Sequence, residues 1–403
     1  MIVRCIRRHA AFNPNAHAMR SPIRQLSFQP DGPTTRYIPG AAIPSENVAN
    51  LESLPEYNLA KEANASKQYQ LAFENFDRAL EVCNSTLGEA SFEASHVKRG
   101  IINVCYSTGD YATAGKQVQE LTKVFLANPS PISTTEAIEW HTIVDSLRAG
   151  RYFLHCGETT KVFELDRYLN MSINGKVCLA VAMLCQRDYT NAMRLLDSCN
   201  KSNPSDPLVL NTLAACHLLE GGADAPENAL RYVEEALLQF NNSHEDPDHI
   251  DSKAIEAHLL CNVGVLKLIL RQPEQALDPL HNALKALESI NEDESQLLLN
   301  NTKTGRVLAQ LGAYYHITEQ AVTSEGLHRS ALENLEKHLI SPRQNLIYSH
   351  CLDLHGSLLR DWDNREADAR TLFTKAEDVR TNLTETLPDD FIFLDGWGGA
   401  NDF

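Results

Sequence analysis

Small residues recur along this chain at a fixed interval, twelve apart and then seven. Ala60, Ala72 and Ala79 give the pattern first, and Ala180, Ala192 and Cys199 repeat it. Gly264, Ala276 and Ala283 follow, then Gly312, Ser324 and Ala331, with Ile102, Ala114 and Leu121 as a bulkier copy. Ala214, Ala229 and Ala236 keep the second interval and add three residues around Gly221-Gly222, and Ala369, Phe373 and Ala376 form a looser last copy. A bulky residue stands four after the middle small one: Phe76, Val118, Leu196, Val233, Leu280 and His328. Spacings of four and seven put these residues on one face of a helix. A phrase repeated at this period marks an array in which each unit buries its apolar face only against its neighbours.

These residues resemble the tetratricopeptide repeat family, whose 34-residue unit is a pair of helices with small residues at positions 8, 20 and 27. Small side chains let the helices approach, and large ones at positions 4, 7, 11 and 24 fill the remaining space. In the unit from Ile173 to Asp206 those four are Lys176, Leu179, Met183 and Leu196, of which only the lysine departs from the pattern. The resemblance covers about residues 53–383. It implies an all-α, right-handed superhelical solenoid of antiparallel helix pairs over 49–385, with seven recognisable copies. Between Pro131 and Asn170, Trp140, Leu147, Tyr152, Phe153, Phe163 and Leu165 keep helical periodicity with poor repeat identity, and a degenerate eighth pair is expected there.

The resemblance also implies a site. In this family the ligand groove is the concave surface of the first helices, at positions 2, 5, 9 and 12. Here these are Asn174, Val177, Val181 and Leu184 in one unit and Leu208, Asn211, Ala215 and Leu218 in the next. The following units supply His258, Cys261, Val265 and Leu268, then Arg306, Ala309, Ala313 and His316. The set is mostly apolar, so an extended or helical apolar segment of another protein is the expected guest. The chaperone-tail clamp of some relatives needs Lys and Asn where this chain has Tyr57 and Lys61, which argues against that activity.

Charge narrows the partner. The net charge is −17, and a nucleic-acid backbone draws its binding strength from Lys and Arg, so no nucleic-acid partner is expected. Yet residues 1–30 hold Arg4, Arg7, Arg8, Arg20 and Arg24 and no acid. Arginines interrupt the apolar residues, as in an amphipathic transit peptide and unlike a secretory signal. Arg24-Gln25-Leu26-Ser27 resembles a matrix processing pattern. The expectation is a mitochondrial transit peptide over 1–26, whose loss takes the charge to −22, and matrix location. A linker rich in Pro and Gly over 27–48 follows, and a tail over 386–403 ends the chain.

No run of 18 apolar residues occurs; the densest stretch, Leu259 to Leu270, contains Asn262, Gly264 and Lys267, so no membrane span is expected. Ten cysteines without a Cys-x-x-Cys pair read as reduced core thiols. No phosphate loop, zinc motif or nucleophile elbow is present, so neither catalytic residues nor a metal or other cofactor are expected. The run His244 to Asp251 is the one candidate metal cluster, and it reads more simply as a polar loop leading into a helix capped by Asp248 or Asp251. The tail Pro388 to Gly399 carries Phe391, Phe393 and Trp397, suited either to capping the last pair or to touching a partner. The leading expectation is a mitochondrial adaptor, an assembly factor or accessory subunit of a respiratory or ribosomal complex, which would associate with a membrane complex without spanning the bilayer. A cytosolic chaperone-type or trafficking adaptor and a metal-dependent hydrolase are the alternatives.

Overall fold

The computed structural model describes residues 51–66, 68–89, 91–108, 110–127, 153–154, 158–204, 206–243, 250–290, 297–336, 342–362 and 364–381, with 147, 149 and 150. The expected transit peptide, linker and tail lie outside the described residues. Every regular element among the described residues is a helix.

The helices fall into pairs. They are α1 (Pro55–Ala65) with α2 (Tyr69–Thr86), and α3 (Phe92–Thr108) with α4 (Tyr111–Ala127). After two short helices, α5 (Thr159–Glu164) and α6 (Asp166–Leu169), come α7 (Ile173–Cys185) with α8 (Tyr189–Ser202) and α9 (Pro207–Glu220) with α10 (Ala225–Ser243). The remaining pairs are α11 (Ile250–Ile269) with α12 (Pro273–Ile290), α13 (Leu297–Ile317) with α14 (Ala321–Glu336), and α15 (Pro342–Asp361) with α16 (Glu366–Thr381). From α1 to α4 and again from α5 to α16 each helix packs on the next in sequence, and the first helices also touch one another, α7 on α9, α11 on α13 and α13 on α15. The result is an all-α solenoid of stacked helix pairs.

Local chemistry sets the boundaries. Ser172 caps α7 by accepting from the Gly175 amide at 3.0 Å, and Asp206 caps α9 by accepting from Leu208 at 3.0 Å and Val209 at 3.2 Å. Within four pairs the turn contains one left-handed residue two positions before the second helix: Arg187, Arg271, Glu319 and Asn364, at φ of 59 to 62°. Three residues separate α7 from α8, a short helix-hairpin loop with Arg187 at its centre. The same conformation at the same register is the backbone counterpart of the sequence repeat. The α9–α10 turn, four residues long, uses Gly221 and Gly222 at φ 81 and 123° instead.

Packing explains the small residues. A Cβ on Gly264 would lie 2.6 Å from Leu280 Cγ, one on Gly312 2.7 Å from His328 Cε1, and one on Gly356 2.8 Å from Phe373 Cε1. In each pair the bulky side chain of the second helix is pressed against the bare backbone of the first. Ala60, Ala72, Ala79, Ala180, Ala192, Ala229, Ala236, Ala276, Ala283 and Ala331 are all fully buried. Burying each large apolar side chain contributes roughly 1.5–3 kcal/mol, which a lone pair cannot collect on both faces.

One expectation changes. Where the degenerate pair ends, two short helices break at Leu165 instead of forming one helix; Leu165 is fully buried and its amide bonds to Val162 O at 3.1 Å, a tightened turn. Asp251 falls within α11, and Asp248 with the rest of 244–249 lies outside the described residues. Of the eight cysteines among the described residues all but Cys185 are buried, in line with the expected core thiols.

Candidate functional site on the inner face of the first helices

The expected groove positions divide by chemistry. Val177, Val181, Cys261 and Val265 are at most 6% exposed, so they pack between helices and offer little surface. Asn174 and Leu208 are half-buried. The apolar lining expected from the sequence is therefore largely interior. What the same register places together is polar: Asn211 on α9, His258 on α11 and Arg306 on α13, at 3, 5 and 3% exposure.

A fourth residue, Asn262, joins them. It stands one turn after His258 and donates from Nδ2 to Asn211 Oδ1 at 2.9 Å, with His258 Nε2 at 3.0 Å from the same nitrogen. Arg306 Nη1 lies 2.9 Å from His258 Nδ1, and Nη2 donates to Asn262 Oδ1 at 2.5 Å. Three first helices from three successive pairs are thus joined by one hydrogen-bonded chain. Both ring nitrogens of His258 lie beside nitrogen atoms of these neighbours, and a neutral imidazole accepts at one nitrogen and donates at the other.

Arg306 carries its charge here without a carboxylate partner among the described residues, and its Nε has no hydrogen-bond partner. Burial draws its pKa down, while the Cys261 and Cys351 thiols beside it act the other way. His350 on α15 is pushed down to about 4, first by burial and then by Arg306 and Arg380. Its Nε2 stands 3.4 Å from Gln310 Nε2. Arg380 differs from Arg306: its Nη1 meets Asp353 Oδ2 at 2.6 Å.

The clamp positions of the first unit are committed elsewhere. Tyr57 is buried with its hydroxyl 2.9 Å from His96 Nε2, and Lys61 lies over the Tyr57 ring at 5.5 Å. Of the His350 and His355 pair, five apart on α15, the first faces Arg306 and the second stacks on His328. Sequence reasoning did not single out Asn262, although a polar side chain one turn from His258 on a first helix was a readable signal. Nor did it mark His328 as more than the bulky member of its repeat. Among the described residues no three His, Cys, Asp or Glu side chains are placed to hold a metal ion, and no helix is long and apolar enough to cross a membrane.

No family model and no curated protein matches this chain. Solved structures do. YrrB, described as a TPR protein with an unusual peptide-binding site, is 14% identical over 52% of this chain and 86% of its own, at a TM-score of 0.31. BtubC from P. vanneervenii is 15% identical over 63% of this chain and 95% of its own, at 0.39. The human IFIT1 dimer with PPP-AAAA is 12% identical over 83% of this chain and 77% of its own, at 0.45. At such identities and scores the assignment of fold stands on the helix pairs, their shared left-handed turns and their small-residue contacts, which together make the architecture TPR-like.

Proposed function

We propose that this chain is a non-enzymatic scaffold that holds a segment of a partner protein against the inner face of its first helices. We propose further that it does so in the mitochondrial matrix, for the assembly or upkeep of a respiratory or ribosomal complex. The observation carrying the binding reading is the stack of helix pairs itself, on whose first helices the expected groove positions Asn174 and Leu208 stay half-buried instead of sealed. Stacked helix pairs make an extended surface suited to a polypeptide. The compartment rests on the arginine-rich, acid-free stretch at residues 1–30 of an otherwise acidic chain.

Crosslinking capture from isolated mitochondria tests this. The full chain should retain a defined set of proteins that a Leu208→Asp variant, altered at a half-buried inner-face position, loses while keeping its helical circular dichroism. Equal capture by both would move the docking surface elsewhere. Mapping the N-terminus of the protein from cells should find it beginning near Ser27; a chain that retains Arg4 to Arg24 would favour a cytosolic adaptor.

A further inference from the structure

We propose that the N-terminal end of the stack is a self-association surface, where α1 and α2 of one chain pack against the same two helices of a second copy. This surface is separate from the inner face and does not depend on a guest segment docking there.

The residue just before the small one on a first helix faces the preceding pair. On α15 it is His355, whose ring lies 5.5 Å from that of His328 on α14. At the neighbouring position of α3, a Cβ on Gly100 would lie 2.6 Å from Phe76 Cε1 on α2. Ile101, Leu179, Leu213, Val263, Leu311 and His355 hold this seam position in the later pairs, and all are at most 6% exposed. In the first pair the same position is Leu59, at 52% exposure. No pair precedes α1 among the described residues.

A second leucine stands beside it. Leu71 on α2 is 47% exposed and precedes Ala72 as Leu59 precedes Ala60. The helices of a pair touch at these small residues: at the same register Ser324 Oγ donates to Gly312 O at 2.7 Å. In two antiparallel helices the residue before each contact point turns to the same side, so Leu59 and Leu71 share the end face. A stable array closes its ends with polar outer surfaces. The opposite end obeys this rule. The residues after the small ones are Leu230 and Leu237 on α10 and Leu277 and Leu284 on α12, packed against the core. On α16 they are Arg370 and Glu377, both exposed.

These chemistries select the occupant. The end formed by α16 offers charge and not an apolar seam, so stacking head to tail into filaments is disfavoured. The apolar end is left to pair with itself in a closed two-fold arrangement. Glu62 and Arg78, both exposed, flank the leucines with opposite signs, so the end does not confront its copy with a single charge. The stretch 27–48 carries Pro30, Pro33, Pro39 and Pro44, which do not suit the helix that meets this seam position elsewhere. Two helices side by side give an end face roughly 20 Å on a side. Two copies then bury on the order of 800 Å², less than a permanent dimer needs, so association should be weak and reversible.

Sedimentation equilibrium of the full chain over a wide range of concentration tests this. The average mass should rise from that of one chain toward that of two and go no further. Leu59→Glu combined with Leu71→Glu should hold the chain at one copy throughout, with helical circular dichroism unchanged because both positions are exposed. If that variant loses helicity, Leu71→Gln alone carries the test and should shift the transition to higher concentration. Dimers that persist unweakened in the variants, or growth beyond two copies, overturn the proposal. A wild type that stays monomeric overturns it as well. In that case a lower urea midpoint in the double variant assigns the end face to another stretch of this chain, and an unchanged midpoint assigns it to a different protein.

Discussion

The imidazole of His328 lies flat against that of His355, ring centroids 5.5 Å apart and planes 18° from parallel. His328 sits against Gly312, in the place that Leu280 and Phe373 take against Gly264 and Gly356. A repeat position built for an apolar side chain therefore holds a polar one. None of the four ring nitrogens of the pair has a hydrogen-bond partner. Burial pushes the pKa of His328 down to about 3 and lowers that of His355 as well, so both rings are neutral in the folded chain. His316 and His350 reinforce the effect on His328. At His355, Arg329 and Arg365 add to it and Glu325 opposes it.

Acid should weaken the last two helix pairs through these rings. The unfolded chain binds their protons near the ordinary value of 6.5 and the folded chain only well below it. Between those values the unfolded state holds more protons, so stability is full above about pH 6.5 and falls as pH drops, flattening near the folded pKa. His328 alone can contribute a slope of up to about 1.4 kcal/mol per pH unit. Urea midpoints at pH 7.5, 6.0 and 5.0 should decline, and His328→Leu should flatten the decline and raise the midpoint at pH 5.0. Parallel declines in wild type and variant would remove these rings as the cause.

Two glycine substitutions should act in opposite directions. At Gly264 a methyl group meets Leu280 Cγ at 2.6 Å and the Ala276 carbonyl oxygen at 3.3 Å. Gly264→Ala should therefore cost about 1–3 kcal/mol by overpacking, since the facing backbone cannot withdraw without parting α11 from α12. Gly326 is exposed within α14 and has nothing within 4 Å of its added Cβ. Gly326→Ala should stabilise by roughly 0.8–1 kcal/mol, the helix-propensity difference. Denaturant titration of both variants would show the opposite shifts; a neutral Gly264→Ala would deny the close contact.

Removing Asn262 should cost more than removing the residue it serves. Asn262→Leu strips an acceptor from Arg306 and a donor from Asn211, leaving a buried charge with less compensation. The loss should be about 3 kcal/mol, in the range for a buried charge that loses a partner. Adding Arg306→Met should recover much of that loss, because the charge needing compensation is gone. A double-mutant cycle from urea midpoints reads the coupling, and additive losses would show that the two side chains do not depend on each other.

The fold was legible because its governing constraint is local and periodic. Gly264, Ala276 and Ala283 announce a close helix contact by their size alone, and the Leu280 side chain lies against the first of them. The site was half legible for the same reason. The register that marked Asn211, His258 and Arg306 is fixed by the repeat, but whether a residue at that register faces a groove or an interhelix seam depends on how tightly neighbouring pairs nest. Val177 and Val181 were assigned to the groove by register and are buried at 0 and 2%. Asn262 lies one position off that register and joins the others only because α9, α11 and α13 converge. Leu165 broke the expected helix for a similar reason, since its burial against neighbouring helices outweighed local helical periodicity.

Thiol chemistry offers a check on the stack as a whole. Burial pushes Cys105 and Cys216 up to about 12, Cys105 on α3 near one end of the stack and Cys216 on α9 near its middle. Only the thiolate is a good nucleophile, so at pH 8 both should resist alkylation on grounds of charge and of access. Cys185, at the end of α7, is only half-buried. Brief iodoacetamide treatment of the native chain followed by peptide mapping should modify Cys185 and spare Cys105 and Cys216, and addition of urea should expose all three. Equal labelling of Cys216 and Cys185 in the native chain would mean that α9 is not sealed between α7 and α10, and the inner-face chain that begins at Asn211 on that helix would lose its support.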